Sequence, residues 1–401
     1  MESTRPDSRP PASSVVWPAK INHVPKEIFV SNELFEEELK RIFYGEEWHA
    51  VAHEGEIPNI GDFKTFRHAR VPLLITRAED GSINVMYNAC SHRGSQVETK
   101  PHGNKLEFEC PYHRWLFDAK GSLVGCPAKP GDFSDTFRKE DYPLACPRVA
   151  VVHGLIFITL SDKTPPIEEW MAGWTEQLGE VLGGDGRLRL LGYQKVVFRS
   201  NWKIYHDNDA YHAPLLHQAF RMLNWQGGKG VQRADERGHR GFRSELSLPR
   251  AQTLLKDASL IQYMNNEKSS GLSVSVHLFP AAVSISHLNS IGIRFMSPIS
   301  VDETEVHYAY FAHADDDEAL VRHRVRQSSN LLGPCGLVSM EDASVFHRLY
   351  TGSHTPGNAV FQKGVGDEYT MPVEFSQNDE SANLPGWEHY RKIMGLKQEE
   401  K

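Results

Sequence analysis

Two short cysteine–histidine pairs constrain this chain more than any other feature of its sequence. One residue separates Cys90 from His92, two residues separate Cys110 from His113, and residues 93–109 lie between the pairs. Each pair fits on one tight loop, so two neighbouring loops can enclose a metal centre. Two thiolates and two imidazoles suit either a structural zinc ion or a [2Fe–2S] cluster with both histidines on one iron. Spacing alone leaves both possibilities open.

The residues around these pairs carry strand and turn signals, which indicate a small β domain. One hairpin is predicted where Asp80-Gly81 separates two apolar runs. Another is predicted where Asp118 to Gly121 follows Trp115-Leu116-Phe117. Thr164-Pro165-Pro166 marks a boundary, and Ile167 to Leu182 beyond it has a helical pattern. The two pairs therefore belong to a β-rich block that ends near residue 162.

The rest of the chain predicts an α+β unit. Gly271 to Phe311 is a run of strand-prone segments, and Asp316 to Leu332 follows as a helix whose first residues are acidic. Antiparallel strands followed by a long helix favour a layer that encloses a pocket. Near the start, Asn32 to Tyr44 predicts one more helix. The expected domains are an N-terminal tail and helix (1–46) packing on the second domain, a β domain (47–162) and a second domain (163–401).

Composition excludes several classes of protein. Of the 401 residues, 40% are apolar, which is enough to form hydrophobic cores. The net charge is −8, and the sequence has no concentrated group of basic residues that would bind nucleic acid or a membrane surface. No apolar run reaches membrane-spanning length, and the polar start, Met1 to Pro11, has no signal core. Five cysteines, an odd number, fit a disulfide framework poorly. The expected location is a reducing cytoplasm.

A second group of metal-binding residue types lies downstream. Asp209 is followed by His212 and His217. Two histidines and a carboxylate with open positions form the facial arrangement of non-haem Fe(II) oxygenases. Residues five apart lie about 140° apart around a regular helix, so both histidines reach one ion only if the helix is broken. Pro214 between them favours such a break. Ordinary core or surface histidines remain the alternative.

The two cysteine–histidine motifs closely resemble the Rieske domain of aromatic-ring-hydroxylating oxygenases. The resemblance is carried by Cys90-Ser-His-Arg-Gly94 and Cys110-Pro-Tyr-His-Arg-Trp115, with Asn88 before the first loop and Gly121 after the second. It implies a [2Fe–2S] cluster on Cys90, His92, Cys110 and His113. It also implies an all-β Rieske domain joined to an antiparallel-sheet helix-grip catalytic domain.

The downstream group resembles the iron motif of the same family, Asp-x-x-His, four residues, then His. By that resemblance His212 and His217 bind Fe(II), and Asp209 is a catalytic carboxylate that links the iron site to a Rieske cluster. The third ligand is expected from Gly333 to Asp342, where Asp342 rather than the adjacent Glu341 matches the family's ligand. This chain lacks the two residues that family members usually have between the positions of Asn208 and Asp209.

The resemblance, which covers about Glu46 to Gly395, implies the large oxygenase subunit of a multicomponent dioxygenase that hydroxylates an aromatic ring with O2. No Gly-x-Gly-x-x-Gly motif follows a strand. NADH is therefore expected to be oxidised by a separate reductase, with or without a ferredoxin. Asp209 would accept a hydrogen bond from His113 of the partner subunit, which implies a homotrimer, or an α3β3 assembly with a small β subunit.

Two arginines indicate the substrate class. Arg294 lies in a strand-like segment, and Arg391 lies near the end of the chain. Both segments resemble those of terephthalate-type oxygenases, where arginines hold a substrate carboxylate, a group that a guanidinium binds bidentately. The chain as a whole resembles terephthalate- and salicylate-type enzymes. An aromatic carboxylic acid is therefore expected. For Arg391 a surface salt bridge is the alternative.

Two rival functions stay open. One is a Rieske monooxygenase or demethylase, which shares every motif. The other is a Rieske electron carrier or a zinc-stabilised binding protein, which needs only the first motif and leaves His212, His217 and Asp342 without a role.

Overall fold

The computed structural model describes residues 15–127, 132–184, 187–208, 230–245, 262–264, 272–362, 364–365, 373–377 and 379–400. The chain divides into two compact units. The first, here the β unit, is Tyr44–Ile167. The second, here the α+β unit, combines the chain up to Phe43 with Glu168 onward. The predicted boundaries, after residues 46 and 162, lie a few residues from these.

The described strands, in chain order, are β1 His23–Pro25, β2 His49–His53, β3 Asp62–His68, β4 Val71–Arg77, β5 Ile83–Tyr87, β6 His102–Asn104, β7 Glu107–Glu109, β8 Leu116–Asp118, β9 Leu123–Gly125, β10 Arg148–Val152, β11 Leu155–Thr159, β12 Leu188–Phe198, β13 Gly230–Ala234, β14 Arg240–Glu245, β15 Leu272–Leu278, β16 Ala282–His287, β17 Ser290–Ser300, β18 Glu303–His313, β19 Asn358–Val360 and β20 Val373–Ser376. The described α-helices are α1 Asn32–Glu38, α2 Ile167–Trp170, α3 Thr175–Val181, α4 Trp202–His206, α5 Glu318–Gln327, α6 Ser339–Gly352 and α7 Leu384–Met394. None of these helices is long and apolar enough to cross a membrane.

The β unit contains three small antiparallel sheets. Their strand orders are β10-β11-β2, β5-β4-β3-β6 and β7-β8-β9. Both predicted hairpins are confirmed, because β4 pairs with β5 across Asp80-Gly81 and β8 pairs with β9 across the turn at Gly121. Both turn glycines have positive φ, +81° for Gly81 and +85° for Gly121, which a residue without a Cβ adopts at least cost.

The α+β unit is built on one antiparallel sheet of eight described strands, in the order β12-β18-β17-β16-β15-β14-β13-β20. The strand registers align one residue from each of five neighbouring strands in a single row across one face. From β14 to β18 this row is Arg240, His277, Val283, Arg294 and Tyr308. Cationic and polar side chains on a largely buried sheet face predict a binding surface rather than an ordinary core.

Helices cover both faces of this sheet. On the face of the row, α4 approaches the sheet so that the Tyr205 and Tyr308 hydroxyls lie 3.1 Å apart. Gly241 points to the opposite face, where α3 packs. A Cβ at Gly241 would lie 2.8 Å from Nε2 of Gln177 in α3, so a larger residue would push the helix away.

Three predicted helices differ in detail from the observed ones. Over Asp316 to Leu332, α5 covers Glu318–Gln327 and a π-helical segment continues to Leu332. In place of one helix over Asn32 to Tyr44, α1 ends at Glu38 and the chain continues as a wider π-helical segment to Glu46, with Gly45 outside helical geometry. In place of one helix over Ile167 to Leu182, α2 and α3 are separated at Gly173, whose φ is +84°. A left-handed residue cannot continue a right-handed helix, so the local backbone overrides the apolar pattern.

Candidate metal centres

The loop that carries Cys90 and His92 is closed by main-chain hydrogen bonds. The N–H of Cys90 donates to the carbonyl of Ser95 (2.8 Å), and the N–H of Gly94 donates back to the carbonyl of Cys90 (2.8 Å). Gly94 has a φ of +75°, which reverses the chain. The buried Asn88 side chain fastens the two ends of the loop. Its Oδ1 accepts from the N–H groups of Val97 and Glu98, and its Nδ2 donates to the Glu98 carbonyl (2.7 Å).

The loop that carries Cys110 and His113 repeats this geometry. Cys110 N–H donates to the carbonyl five residues on, at Trp115 (2.8 Å), and Arg114 N–H donates back to the Cys110 carbonyl (2.9 Å). Arg114 holds the position of Gly94 and also has positive φ, +60°. The turn therefore has the same shape in both loops, although only the first carries glycine at the left-handed position.

The four predicted cluster ligands include two close pairs, Cys90 with Cys110 and His92 with His113. Cys90 and Cys110 are 4% and 1% exposed and belong to the core of the β unit. Burial raises the pKa of the Cys90 thiol. Burial acts the same way on Cys110, but N–H groups of Tyr112 and His113, with Cys90, bring the pKa of the Cys110 thiol below its usual value. The rings of His92 and His113 have centroids 4.6 Å apart.

These residues fit a two-iron cluster better than a single zinc ion. The thiols of Cys90 and Cys110 interact with each other and the rings of His92 and His113 lie side by side, so the ligands form one cysteine pair and one histidine pair. Zinc would need all four ligands around one point, whereas each iron of a [2Fe–2S] cluster takes only two protein ligands. The Nδ1 of His113 is buried without a hydrogen-bond partner among the described residues, and coordination of an iron would give this nitrogen a partner.

Of the predicted mononuclear iron site, Asp209, His212 and His217 lie outside the described residues. Asp342 is described: it stands in the first turn of α6 and is only 8% exposed, more buried than Glu341. It lines a pocket of about 580 Å³ together with Asp207 and Asn208, the last described residues before Asp209. Asp342 and the two residues that lead to the histidine segment therefore line the same pocket, as a shared metal site requires.

The helix before the histidine segment is anchored by a buried network. Asn201 caps the N-terminus of α4, with its Oδ1 accepting from Lys203 N–H (3.1 Å). Glu38, fully buried in α1, accepts hydrogen bonds from Lys203 Nζ (2.6 Å), Trp202 Nε1 (2.7 Å) and the Tyr390 hydroxyl (2.5 Å). Sequence analysis missed Glu38 and Tyr390, because no local signal connects residues so far apart in the chain.

The two predicted substrate arginines have different surroundings. Arg294 is half-buried, with its guanidinium carbon 5.1 Å from the centre of the Tyr308 ring. Burial acts to lower the pKa of Arg294, but the neighbouring tyrosines and Asp342 raise it above its ordinary value, so the side chain stays cationic. Arg391 in α7 is held bidentately by Glu388, at 2.6 and 3.0 Å. The salt bridge that the sequence left open for Arg391 is what the structure forms.

Comparison with known proteins agrees with this architecture. The family model for the Rieske [2Fe–2S] domain matches residues 47–146, and that for the catalytic domain of the ring-hydroxylating alpha subunit matches residues 186–400. The chain is similar in fold to naphthalene 1,2-dioxygenase from Rhodococcus sp. bound to indole, with a TM-score of 0.81, 24% identity and coverage of 93% of this chain and 94% of that one.

Two relatives align over almost their whole length. The anthranilate 1,2-dioxygenase large subunit of Burkholderia cepacia is 30% identical over 97% of this chain and 97% of its own. The terephthalate 1,2-dioxygenase terminal oxygenase subunit alpha 2 of Comamonas sp. is 30% identical over 96% and 98%. This chain belongs to the family of Rieske-type ring-hydroxylating oxygenase alpha subunits, oxidoreductases that carry a [2Fe–2S] cluster and a mononuclear non-haem iron.

Proposed function

We propose that the chain is the oxygenase component that hydroxylates the ring of an aromatic carboxylic acid. The observation that carries this proposal is the set of contacts that the Arg294 guanidinium makes. Its hydrogen bonds to described residues, with the Tyr205 hydroxyl (3.4 Å) and the Leu332 carbonyl (3.2 Å), use two of five N–H donors. Within the described residues no carboxylate lies within ion-pair distance of it. A partly buried cation without an ion-pair partner among the described residues favours an anionic ligand.

The names of several relatives support the same class. The relatives at 29–30% identity include enzymes named for anthranilate, terephthalate and salicylate, all of which are aromatic acids. Arg294 lies in the row of side chains that faces α4, and its pKa responds to the charge of Asp342. A carboxylate bound to Arg294 would therefore orient the ring toward the proposed iron site. Because Glu388 occupies the guanidinium of Arg391, the proposal rests on Arg294 alone.

The proposed metal ligands are those that the motifs predict. Cys90, His92, Cys110 and His113 would hold the [2Fe–2S] cluster, and His212, His217 and Asp342 would hold Fe(II). With both groups bound, the cluster supplies electrons and the iron supplies the position at which O2 reacts with the ring. The chain's own residues position these groups: Asn88 closes the first cluster loop, and Glu38 fixes the helix that leads to the iron site.

Electron delivery and assembly follow from the same proposal. Asp209 would bridge the iron site to His113 of the partner subunit, in a head-to-tail ring such as a homotrimer or an α3β3 assembly. A separate NADH-dependent reductase, with or without a ferredoxin, would reduce the cluster.

The decisive experiment is a screen of aromatic acids with the purified chain, a reconstituted reductase and 18O2. We expect three irons and two acid-labile sulfides per chain, and a cis-dihydrodiol that retains two labelled oxygen atoms. A product with one labelled oxygen would establish the monooxygenase or demethylase. Two irons per chain with no hydroxylated product would leave an electron carrier, and zinc without sulfide would leave a structural metal site.

A further inference from the structure

The last residue of α4 and the two residues after it lead to the histidine segment of the proposed iron site. This segment, residues 206–208, is here called the stem. The N–H groups of Asp207 and Asn208 bond to carbonyls of α4. Asp207 N–H donates to the Lys203 carbonyl (2.7 Å), and Asn208 N–H donates to the Tyr205 carbonyl (3.2 Å). The carbonyls at the end of a helix have no such partners within the helix and need donors from elsewhere.

All three stem carbonyls receive side-chain donors from distant parts of the chain. Nη2 of Arg240 donates to the carbonyl of His206 and to that of Asn208 (3.1 Å). Nδ2 of Asn383 donates to the carbonyl of Asp207 (2.9 Å). Each donor comes from outside the helix, so the stem is tied to β14 on one side and to the residue before α7 on the other.

The side chain of Asp207 adds a fourth bond. Its Oδ1 accepts a hydrogen bond from Nε1 of Trp387 in α7 (2.9 Å), and Trp387 is only 7% exposed. Three described side chains, Arg240, Asn383 and Trp387, thus hold the stem, and its carbonyls and one oxygen of the Asp207 carboxylate have hydrogen-bond partners.

Arg240 is suited to this task by its charge and shape. It is 5% exposed and lies at the C-terminal end of α4, where the helix dipole favours a cation. Burial and the Arg240 charge keep the pKa of His206 and His277 well below its ordinary value, so these adjacent imidazoles stay neutral and do not repel the guanidinium. A planar guanidinium can serve two carbonyls in fixed geometry, which a lysine ammonium cannot do as rigidly.

The stem ends directly at the proposed ligand segment. Asn208 precedes Asp209, and consecutive Cα atoms are about 3.8 Å apart, so the position of Asn208 limits where Asp209 can lie. We propose that Arg240, Asn383 and Trp387 are positioning residues of the mononuclear iron site that set the entry of the histidine segment through the stem. This inference rests on the proposed iron ligands.

The test is Fe(II) affinity in the full-length chain. The mononuclear iron is removed with a chelator under anaerobic conditions, Fe(II) is titrated back, and bound iron is compared with acid-labile sulfide. Changes to residues behind metal ligands typically cost about 10–100-fold in affinity. We expect a loss of that size in Arg240→Gln, little recovery in Arg240→Lys, and an unchanged cluster spectrum in both.

Two further variants keep the test decisive. Arg243→Gln, on the same strand, removes an arginine that is paired with Glu180 at the surface and should bind Fe(II) like wild type. Trp387→Phe keeps an aromatic ring but removes the bond to Asp207, and we expect a several-fold loss of affinity. If Arg240→Gln does not fold, Trp387→Phe decides alone.

The outcomes separate the two proposals. If wild type holds a third iron and Arg240→Gln, or a folded Trp387→Phe, binds Fe(II) equally tightly, the positioning role is overturned. The proposed function would then remain intact. Wild type without a third iron would overturn both.

Discussion

The carboxylate of Glu38 lies 2.6 Å from the ammonium of Lys203, and the two side chains are 0% and 2% exposed. This ion pair joins α1, near the start of the chain, to α4, which leads into the proposed iron site. Breaking a buried pair leaves a charge without compensation and typically costs about 3–5 kcal/mol. The pair is therefore a structural anchor for the helix, and its loss should be visible as a loss of stability.

Glu38→Gln should lower the free energy of unfolding of the α+β unit by about 3 kcal/mol, because Lys203 loses its only described carboxylate partner. Denaturant unfolding followed by tryptophan fluorescence measures this. The matched control is Glu318→Gln, which removes an exposed partner of Arg322 and should cost less than about 0.5 kcal/mol. Equal effects in the two variants would refute the anchoring role.

Asn88→Ala should reduce the cluster content of the β unit. The variant removes three buried hydrogen bonds that fasten the first ligand loop, a loss of about 3 kcal/mol. We expect lower visible absorbance and less acid-labile sulfide per chain, with secondary structure retained. Asn84→Ala, in the preceding strand, removes bonds that among the described residues reach only Ser82, and it serves as the control. Full cluster content in Asn88→Ala would show that the loop closes without this side chain.

Arg294→Gln should lower kcat/KM for aromatic acids by roughly 100-fold, since a partly buried charge pair with the substrate carboxylate would be lost. For the neutral methyl ester of the same acid the change should be small. Arg391→Gln should leave both values near wild type, because Glu388 already binds that guanidinium. An equal loss for acid and ester in Arg294→Gln would point to a packing role and remove the argument for a carboxylate.

Asp209→Asn should leave three irons per chain and a cluster that is reduced normally, while product formation falls about 100-fold. The amide keeps the size of the carboxylate but weakens acceptance of a hydrogen bond from a protonated imidazole. Single-turnover product analysis with a pre-reduced cluster measures the effect. Asp302→Asn, in the turn between β17 and β18, is the control. A fully active Asp209→Asn enzyme would rule out the bridge.

Glu305 should make stability depend on pH. Burial acts to raise the pKa of Glu305, but hydrogen bonds from His307 and Lys195 lower this pKa to about 2 from an ordinary 4.5. A lowered pKa in the folded state stabilises the fold above pH 4.5, and that contribution disappears as pH falls toward 2. Lys195 is half exposed, so we expect only about 1 kcal/mol at pH 7. The difference between wild type and Glu305→Gln should narrow between pH 4.5 and 3; a constant difference would contradict the assignment.

Residues close together in the chain account for most of what could be predicted. Each cluster loop is a contiguous motif closed by its own main-chain bonds, and both predicted hairpins form around glycines with positive φ. Helix limits were less predictable. The continuation of α1 as a π-helical segment and the break at Gly173 depend on how the chain packs, which periodicity does not encode.

The sequence by itself determined the chemistry of this protein: the thiol–imidazole pairs, the downstream histidines and carboxylates, and the family to which they belong. Only the tertiary structure decided which distant side chains serve them. It pairs Arg391 with Glu388 but leaves Arg294 a partly buried cation, and it brings Glu38 to Lys203 and Arg240 to the stem. The physical reason is that metal ligation and turns follow from local spacing, whereas desolvation and hydrogen-bond satisfaction depend on strand register and helix packing between residues far apart in the chain.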